Sequence, residues 1–151
     1  MKIVLSGPSA APYAREYISN AAATLRQQGH EVFVPHEGGW QAPDSPAEAD
    51  RFDFEKTYEA LREAELLMAV LDGYTVDDAV ALQMGAFHAH AREGSPARRI
   101  MGILHDTRVA GWEWTAGDAA LSPQVRLAIA EFGEVFPNFK AVFKALEGNA
   151  G

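Results

Sequence analysis

The sequence predicts an α/β protein built on a single open, mostly parallel five-stranded sheet with helices on both faces. Short apolar runs alternate four or five times with longer segments of helical periodicity, which is the pattern of strand–helix–strand units. Glycine and proline separate many of these segments. A chain of 151 residues usually forms one domain. We therefore expect a single three-layer domain over residues 1–151, with the architecture of flavodoxin-like and Rossmann-like folds.

The first strand and helix are predicted from one apolar run and two helix-end signals. Residues 3–5 are continuous and apolar, as in strands that are buried on both faces. Proline suits the first position of a helix and glycine often follows the last, so a helix is predicted from about Pro12 to Gly29. Residues 31–35 are the second predicted strand.

The middle of the chain contains a predicted loop, helix and strand. Residues 36–50 include prolines and a glycine pair without any period, so we predict a long loop there. A helical spacing of apolar side chains follows over residues 50–64. Residues 66–71 form the longest unbroken apolar run, and we expect them to be the central strand.

Helix-capping residues define the elements of the last part. Asp77 or Asp78 is expected to cap a helix that extends to about Arg92, because aspartate accepts hydrogen bonds from free N–H groups at helix starts. Ser122-Pro123 combines a capping residue with a proline at the first helical position. The other predicted elements are a strand at 100–104, a loop at 105–121, a strand at 135–136 and a helix that ends near residue 146.

Composition excludes several classes of function. A net charge of −8 without any cluster of Lys and Arg argues against binding to nucleic acid. The absence of cysteine excludes a disulfide scaffold, a cysteine–zinc site and a cysteine nucleophile. No apolar stretch is long enough for a signal peptide or a membrane span, so we expect a cytoplasmic location and no membrane partner. No His, Asp and Glu set has the spacing of metal ligands, and we expect neither a metal nor another cofactor.

Two polar segments follow predicted strands, where ligands of open parallel sheets bind. Ser6-Gly7-Pro8-Ser9 leads into a helix, so its backbone N–H groups could hold an anion such as phosphate, although it lacks the Gly-Lys pair of a Walker loop. Asp72-Gly73 would place a carboxylate at the rim of the sheet or would simply form a turn.

Further polar and aromatic candidates lie on the helix after Asp72 and in the long loops. One aspartate of the Asp77-Asp78 pair is free to bond a ligand hydroxyl if the other caps the helix. Gln83 shares a helix face with Val80 and Phe87, so it is either a buried structural amide or a group that points into a pocket. Glu37 lies in a predicted loop and either reaches a ligand or is solvated. Trp40, Trp112 and Trp114 also lie in predicted loops, where they either stack on the planar base of a ligand or cover the edge of the sheet.

Residues 69–86 resemble the active-site segment of the nucleoside 2-deoxyribosyltransferase family, whose pattern is roughly A-x-L-D-G-x-x-x-D-x-G-T-x-x-E-x-G. The opening, residues 3–8, is similar to the first strand and Gly-Pro turn of that family. Glu63-Ala64-Glu65-Leu66 resembles its E-x-A-D, and His105-Asp106-Thr107-Arg108 resembles its D-x-R. The similarity extends from residue 1 to about residue 130. The family that the chain resembles includes the deoxynucleoside 5′-monophosphate N-hydrolase branch.

The resemblance implies a catalytic centre in which three positions depart from the family pattern. Asp72 and Asp77 match aspartates that bind the sugar and orient the nucleophile. Gln83 occupies the position of the nucleophilic Glu, while Ala79 and Val80 replace Gly and Thr. The implied catalytic positions are Gln83, Asp72 and Asp77, and the implied substrate-binding residues are Ser6, Gly7, Pro8, Ser9, Asp78, Glu37 and Trp40.

The implied activity is N-glycosidic bond chemistry on a small-molecule nucleoside or nucleotide, either deoxyribosyl transfer between bases or base hydrolysis. A carboxylate stabilises the oxocarbenium-like transition state and traps the sugar as an ester, and the neutral amide of Gln83 does neither well. Asp77, Asp78 or Glu37 could activate water instead. The alternatives are a catalytically inactive nucleoside sensor and an oligomeric structural protein. Because the family builds its sites at subunit contacts, the resemblance also implies a homo-oligomer, a dimer or larger.

Overall fold

The computed structural model describes residues 1–38, 45–94, 97–105 and 121–148, which form a parallel sheet flanked by helices. The strands are β1 (Lys2–Ser6), β2 (Glu31–Phe33), β3 (Leu66–Val70), β4 (Arg99–Ile103) and β5 (Gly133–Phe136). The helices of the described residues are α1 (Pro12–Gln27), α2 (Pro46–Glu63), α3 (Asp78–Glu93), α4 (Pro123–Phe132) and α5 (Phe139–Gly148), with a short 3₁₀ turn at Pro35–Glu37. The predicted five-stranded, three-layer α/β fold is confirmed.

The order of the strands is β2-β1-β3-β4-β5, and every neighbouring pair is parallel. This is the flavodoxin-like order, in which the direction of winding reverses between β1 and β3. Ser6 at the end of β1 is in register with Ala69 of β3. A crevice therefore opens beyond the carboxyl ends of these two strands, where ligands of such sheets bind.

The core has two layers because side chains of a strand alternate between the faces of the sheet. On one face, Met68 of β3 belongs to a buried cluster with residues of α1 and α5. On the other face, Leu67 packs in a cluster with residues of α2, α3 and α4, including Phe87 and Ile129. All five residues of β3 are buried, as expected for the central strand.

Most predicted helix ends agree with the structure, but the predicted start of α2 was wrong. Asp77 caps α3, Ser122 caps α4, and Gly29 follows α1 with a positive φ of 85°. The helix predicted from residue 50 begins at Pro46, because Ser45 accepts a hydrogen bond from the backbone N–H of Glu48. The strand predicted over 31–35 ends at Phe33, and the backbone then enters the 3₁₀ turn.

Candidate functional site

The first cavity opens at the carboxyl side of the sheet and has a volume of about 480 Å³. Its walls come from the β1–α1 loop, α1, the 3₁₀ turn, α2 and the first turns of α3. The described residues that line it are Ser9, Arg15, Pro35, His36, Asp53, Phe54, Thr57, Tyr58, Ala79, Leu82 and Gln83. This volume is in the range of small-molecule sites.

Gln83 connects this cavity to the end of the sheet. The Ser6 hydroxyl donates a hydrogen bond to Gln83 Oε1 at 2.5 Å. Ser6 is buried, with 1% of its surface exposed, so its hydroxyl needs a partner inside the protein. Gln83 is half-buried on α3 and lines the cavity. The structure therefore brings together Ser6, Ser9 and Gln83 of the predicted site.

Gly7 of the same loop has a packing function. A Cβ at this position would lie 2.5 Å from Cδ1 of Ile18 and 2.9 Å from Cβ of Val70. Both distances are far below an ordinary contact, so only glycine lets the loop pass this close to α1 and β3. Pro8, the next residue, lines a second cavity.

The second cavity, of about 630 Å³, contains Asp72 and not Gln83. Asp72 Oδ1 accepts a hydrogen bond from the backbone N–H of His105 at 2.8 Å, and its Oδ2 contacts Nδ1 of the same histidine. The His105 ring stacks on Tyr17 with a centroid distance of 5.0 Å and an interplanar angle of 6°. Burial and then the charge of Asp72 raise the pKa of Tyr17 above its ordinary value. The predicted catalytic positions Asp72 and Gln83 thus lie in different cavities.

Asp77 and Asp78 accept hydrogen bonds from backbone N–H groups at the start of α3. Asp77 Oδ1 accepts from the backbone N–H groups of Ala79 at 3.0 Å and Val80 at 3.3 Å. Asp78 Oδ1 accepts from Ala79 at 2.8 Å. Negative charge at this end also interacts favourably with the helix dipole. The capping prediction for Asp77 is confirmed, while sugar binding by either residue stays a prediction.

Glu37 is paired within the protein. Its Oε2 accepts a hydrogen bond from Nη2 of Arg26 at 2.6 Å. Burial alone would raise the pKa of Glu37, but hydrogen bonds from Arg26 and Ser19 and the charge of Arg26 outweigh it, so the pKa lies below its ordinary value. Neither described cavity includes Glu37 in its lining. The predictions for Trp40, Trp112 and Trp114 lie outside the described residues.

Arg15 and His36 are two further polar residues of the first cavity, and Arg15 was not among the predicted site residues. Arg15 donates from Nη1 to the carbonyl oxygens of Ser9 at 2.5 Å and Ala10 at 3.4 Å. His36 Nε2 lies 3.1 Å from the Ser19 hydroxyl, and burial, only partly opposed by Glu37, lowers its pKa. A neutral imidazole is therefore favoured at neutral pH.

Asp53 of α2, like Thr57 and Tyr58, lines the first cavity and was not among the predicted site residues. Its Oδ1 is buried, and none of the described residues hydrogen-bonds to it. Burial, and then the charge of Asp50, raise the pKa of Asp53. Its spacing of four from Thr57 predicts a shared helix face, and this signal was available in the sequence.

Neither a metal cluster nor a membrane span is found in the part of the chain that the structure describes. No three His, Asp or Glu side chains in that part are placed to hold a metal ion. No helix in that part is long and apolar enough to cross a membrane.

Comparison with known proteins gives one sequence family and several related folds. The sequence profile described as nucleoside 2-deoxyribosyltransferase matches residues 3–137. No match was found among curated protein sequences.

Three solved structures share the fold at low sequence identity. A conserved protein from Enterococcus faecalis V583 has a TM-score of 0.74 and 20% identity, with 97% of each chain covered. A 2-deoxyribosyltransferase from Bacillus psychrosaccharolyticus has a TM-score of 0.68 and 21% identity, covering 94% of this chain and 90% of that one. The CMP N-glycosidase BcmB from Clostridium botulinum has a TM-score of 0.50 and 14% identity, covering 95% and 97%.

Proposed function

Because the chain belongs to the nucleoside 2-deoxyribosyltransferase family, we propose that it cleaves the N-glycosidic bond of a nucleoside or nucleotide in the first cavity. The observation that carries the proposal is the position of Gln83. The residue that aligns with the nucleophile of the family pattern lines a cavity of suitable size and is held there by the buried Ser6 hydroxyl.

The lining of the first cavity suits both the base and the phosphate of a nucleotide. Phe54 and Tyr58 stack on each other with a centroid distance of 4.5 Å and provide an aromatic wall against which a base can pack. Arg15 supplies a permanent positive charge beside the loop that leads into α1. Since guanidinium groups bind phosphate well, a nucleoside 5′-monophosphate is a suitable substrate class for this cavity.

The amide of Gln83 favours hydrolysis over transfer between bases. Transfer needs a covalent sugar–enzyme ester, which an uncharged amide does not form. Loss of a covalent nucleophile typically slows turnover about 10³- to 10⁶-fold. A reaction in which water attacks the sugar directly avoids that intermediate, and it needs only a base that takes the proton of the water.

The same substitution favours one competing function, a nucleotide sensor that binds without reaction. Gln83 offers hydrogen bonds but no charge, and it lines a cavity with room for a small molecule. A sensor and a hydrolase differ in a single observable, because both bind the ligand and only the hydrolase releases the base.

The test is a panel of ribo- and deoxyribonucleosides and their 5′-monophosphates, with and without acceptor bases, followed by chromatography of the free base. Titration calorimetry with the same compounds measures binding. Release of base by the wild-type protein supports the proposal. Binding without release would establish the sensor, and neither binding nor release would exclude both functions. Light scattering on the same samples tests the predicted homo-oligomer.

A further inference from the structure

We infer that Asp53 is the general base of the first cavity, the group that takes a proton from the water attacking C1′ of the sugar. This inference rests on the proposed hydrolysis and specifies its mechanism. Asp53 lies on α2 and not on the helix that carries Gln83, and it aligns with none of the residues that the family resemblance implied.

Asp53 lies in the wall of the first cavity. It is the one acidic residue among the described residues that line the first cavity. The carboxylates expected to activate water are engaged elsewhere, since Asp77 and Asp78 cap α3 and Glu37 pairs with Arg26.

Oδ1 of Asp53 is buried and accepts no hydrogen bond from the described residues. A buried carboxylate oxygen without a partner is unfavourable, so proteins usually pair such groups or place them where a ligand or water completes the bonding. The cavity that Asp53 lines, of about 480 Å³, has room for a substrate and for a water molecule beside the carboxyl group.

A general base works best when its pKa lies closer to the working pH than that of an ordinary carboxylate. Burial and the charge of Asp50 raise the pKa of Asp53 in this direction. Among the described residues that line the cavity, the other titratable groups are Arg15 on α1, His36 on the 3₁₀ turn and Tyr58 on α2.

The step balances without any further reactant. The oxygen of water bonds to C1′ while the bond between C1′ and the base nitrogen breaks, and the electron pair of that bond stays on the nitrogen. The proton of the water goes to Asp53, which then returns it through solvent to the departing base. Gln83, held by Ser6, can hydrogen-bond the water or the sugar without competing for the proton. Such a single displacement inverts the configuration at C1′.

The experiment compares the wild type, Asp53→Asn and Asp50→Asn with a substrate that the wild type hydrolyses. Asp50 is an exposed carboxylate one turn earlier on the same helix, so it is a matched control. We expect Asp53→Asn to lower kcat about 10²- to 10⁴-fold with little change in the Kd of the substrate. At a pH above the acid limb, Asp50→Asn should keep kcat within about threefold.

The pH profile separates a base from a structural residue. Wild-type kcat should fall at low pH as Asp53 becomes protonated, and Asp53→Asn should lack this acid limb. Asp50→Asn should move the limb to lower pH, because the charge of Asp50 raises the pKa of Asp53. NMR of the sugar product should show the inverted anomer, and retention would overturn the mechanism.

A second variant keeps the inference testable if Asp53→Asn folds poorly. Asp53→Ala leaves space for formate, a free carboxylate, which should restore base release in this variant and not accelerate the wild type. Full activity of a folded Asp53→Asn, or no rescue of a folded Asp53→Ala, would refute Asp53 as the base. Absence of base release by the wild type would instead refute the proposed function itself.

Discussion

Replacement of Gln83 by Glu is the most direct test of how this site differs from the family pattern. The two side chains have almost the same shape, so the new carboxylate can occupy the place of the amide. Ser6 already donates a 2.5 Å hydrogen bond to the side-chain oxygen at this position. That bond becomes stronger when the acceptor is ionised. The substitution therefore restores a nucleophile with its supporting donor in place.

The size of the expected effect follows from the chemistry that the carboxylate adds. A covalent nucleophile contributes about 10³- to 10⁶-fold, which corresponds to about 4–8 kcal/mol in the barrier. Ala79 and Val80 also replace residues of the family pattern on the same turn of α3, so part of this gain will be absent. We expect Gln83→Glu to raise base exchange at least about a hundredfold over the wild type.

The assay is exchange of one base for another on a nucleoside, followed by chromatography, with Gln124→Glu as control. Gln124 is exposed on α4, so its substitution changes the net charge by the same amount away from the cavity. Exchange should rise in Gln83→Glu and stay at the wild-type value in the control. If the folded Gln83→Glu protein binds nucleoside and shows no exchange, position 83 does not face the sugar and our placement of the substrate is wrong.

Three further predictions concern stability. Asp53→Asn should raise the free energy of unfolding at pH 7 by about 1 kcal/mol, because it replaces a charged carboxylate, whose buried Oδ1 has no partner among the described residues, with a neutral amide that is less costly to bury. Since the pKa of Asp53 is raised in the folded state, wild-type stability should fall as pH rises from the unfolded-state pKa through the folded-state pKa, and urea titrations should show this slope missing in the variant. Ser6→Ala should lower the free energy of unfolding, measured by urea titration, by about 1–3 kcal/mol, because the amide oxygen of Gln83 loses its hydrogen-bond donor. A loss below about 0.3 kcal/mol would contradict the importance of this hydrogen bond. Gly7→Ala should lower the free energy of unfolding by about 1–3 kcal/mol, because the added Cβ overpacks the core. Gly85→Ala has nothing within 4 Å of the added Cβ and should stabilise α3 by up to about 1 kcal/mol. Equal effects of the two substitutions in thermal melts would refute the packing explanation.

The fold could be predicted because its signals are local. Each apolar run that was predicted to be a strand forms one, and Asp77 and Ser122 cap helices as predicted. The start of α2 was misplaced because the hydrogen bond from the Glu48 N–H to Ser45 was not anticipated. That error had a consequence for the site, since a predicted helix start at residue 50 put Asp53 in a fraying first turn rather than inside a helix.

The site was harder to predict because it depends on which helices meet. Asp53 and Gln83 are 30 positions apart in the sequence, and only the packing of α2 beside α3 over one face of the sheet brings them to one cavity. No periodicity encodes this meeting. Conversely, Asp72 stands close to Gln83 in the motif, yet the two residues line different cavities, and residues of the loop after β1 contribute to both.

The effects of Asp53→Asn and Gln83→Glu depend on each other, because both substitutions change the number of carboxylates in the first cavity. In the wild type, Asp53 is the acidic residue among the described lining residues, and Gln83→Glu would add a second carboxylate. Two carboxylates in one low-dielectric site oppose each other's ionisation, so one pKa rises and the nucleophile is partly protonated near neutral pH. Asp53→Asn in the Gln83→Glu background removes this opposition and also removes the base that activates water. The ratio of base exchange to base release should therefore be higher in the double variant than in Gln83→Glu alone. An unchanged or lower ratio would mean that the two side chains do not act on the same sugar.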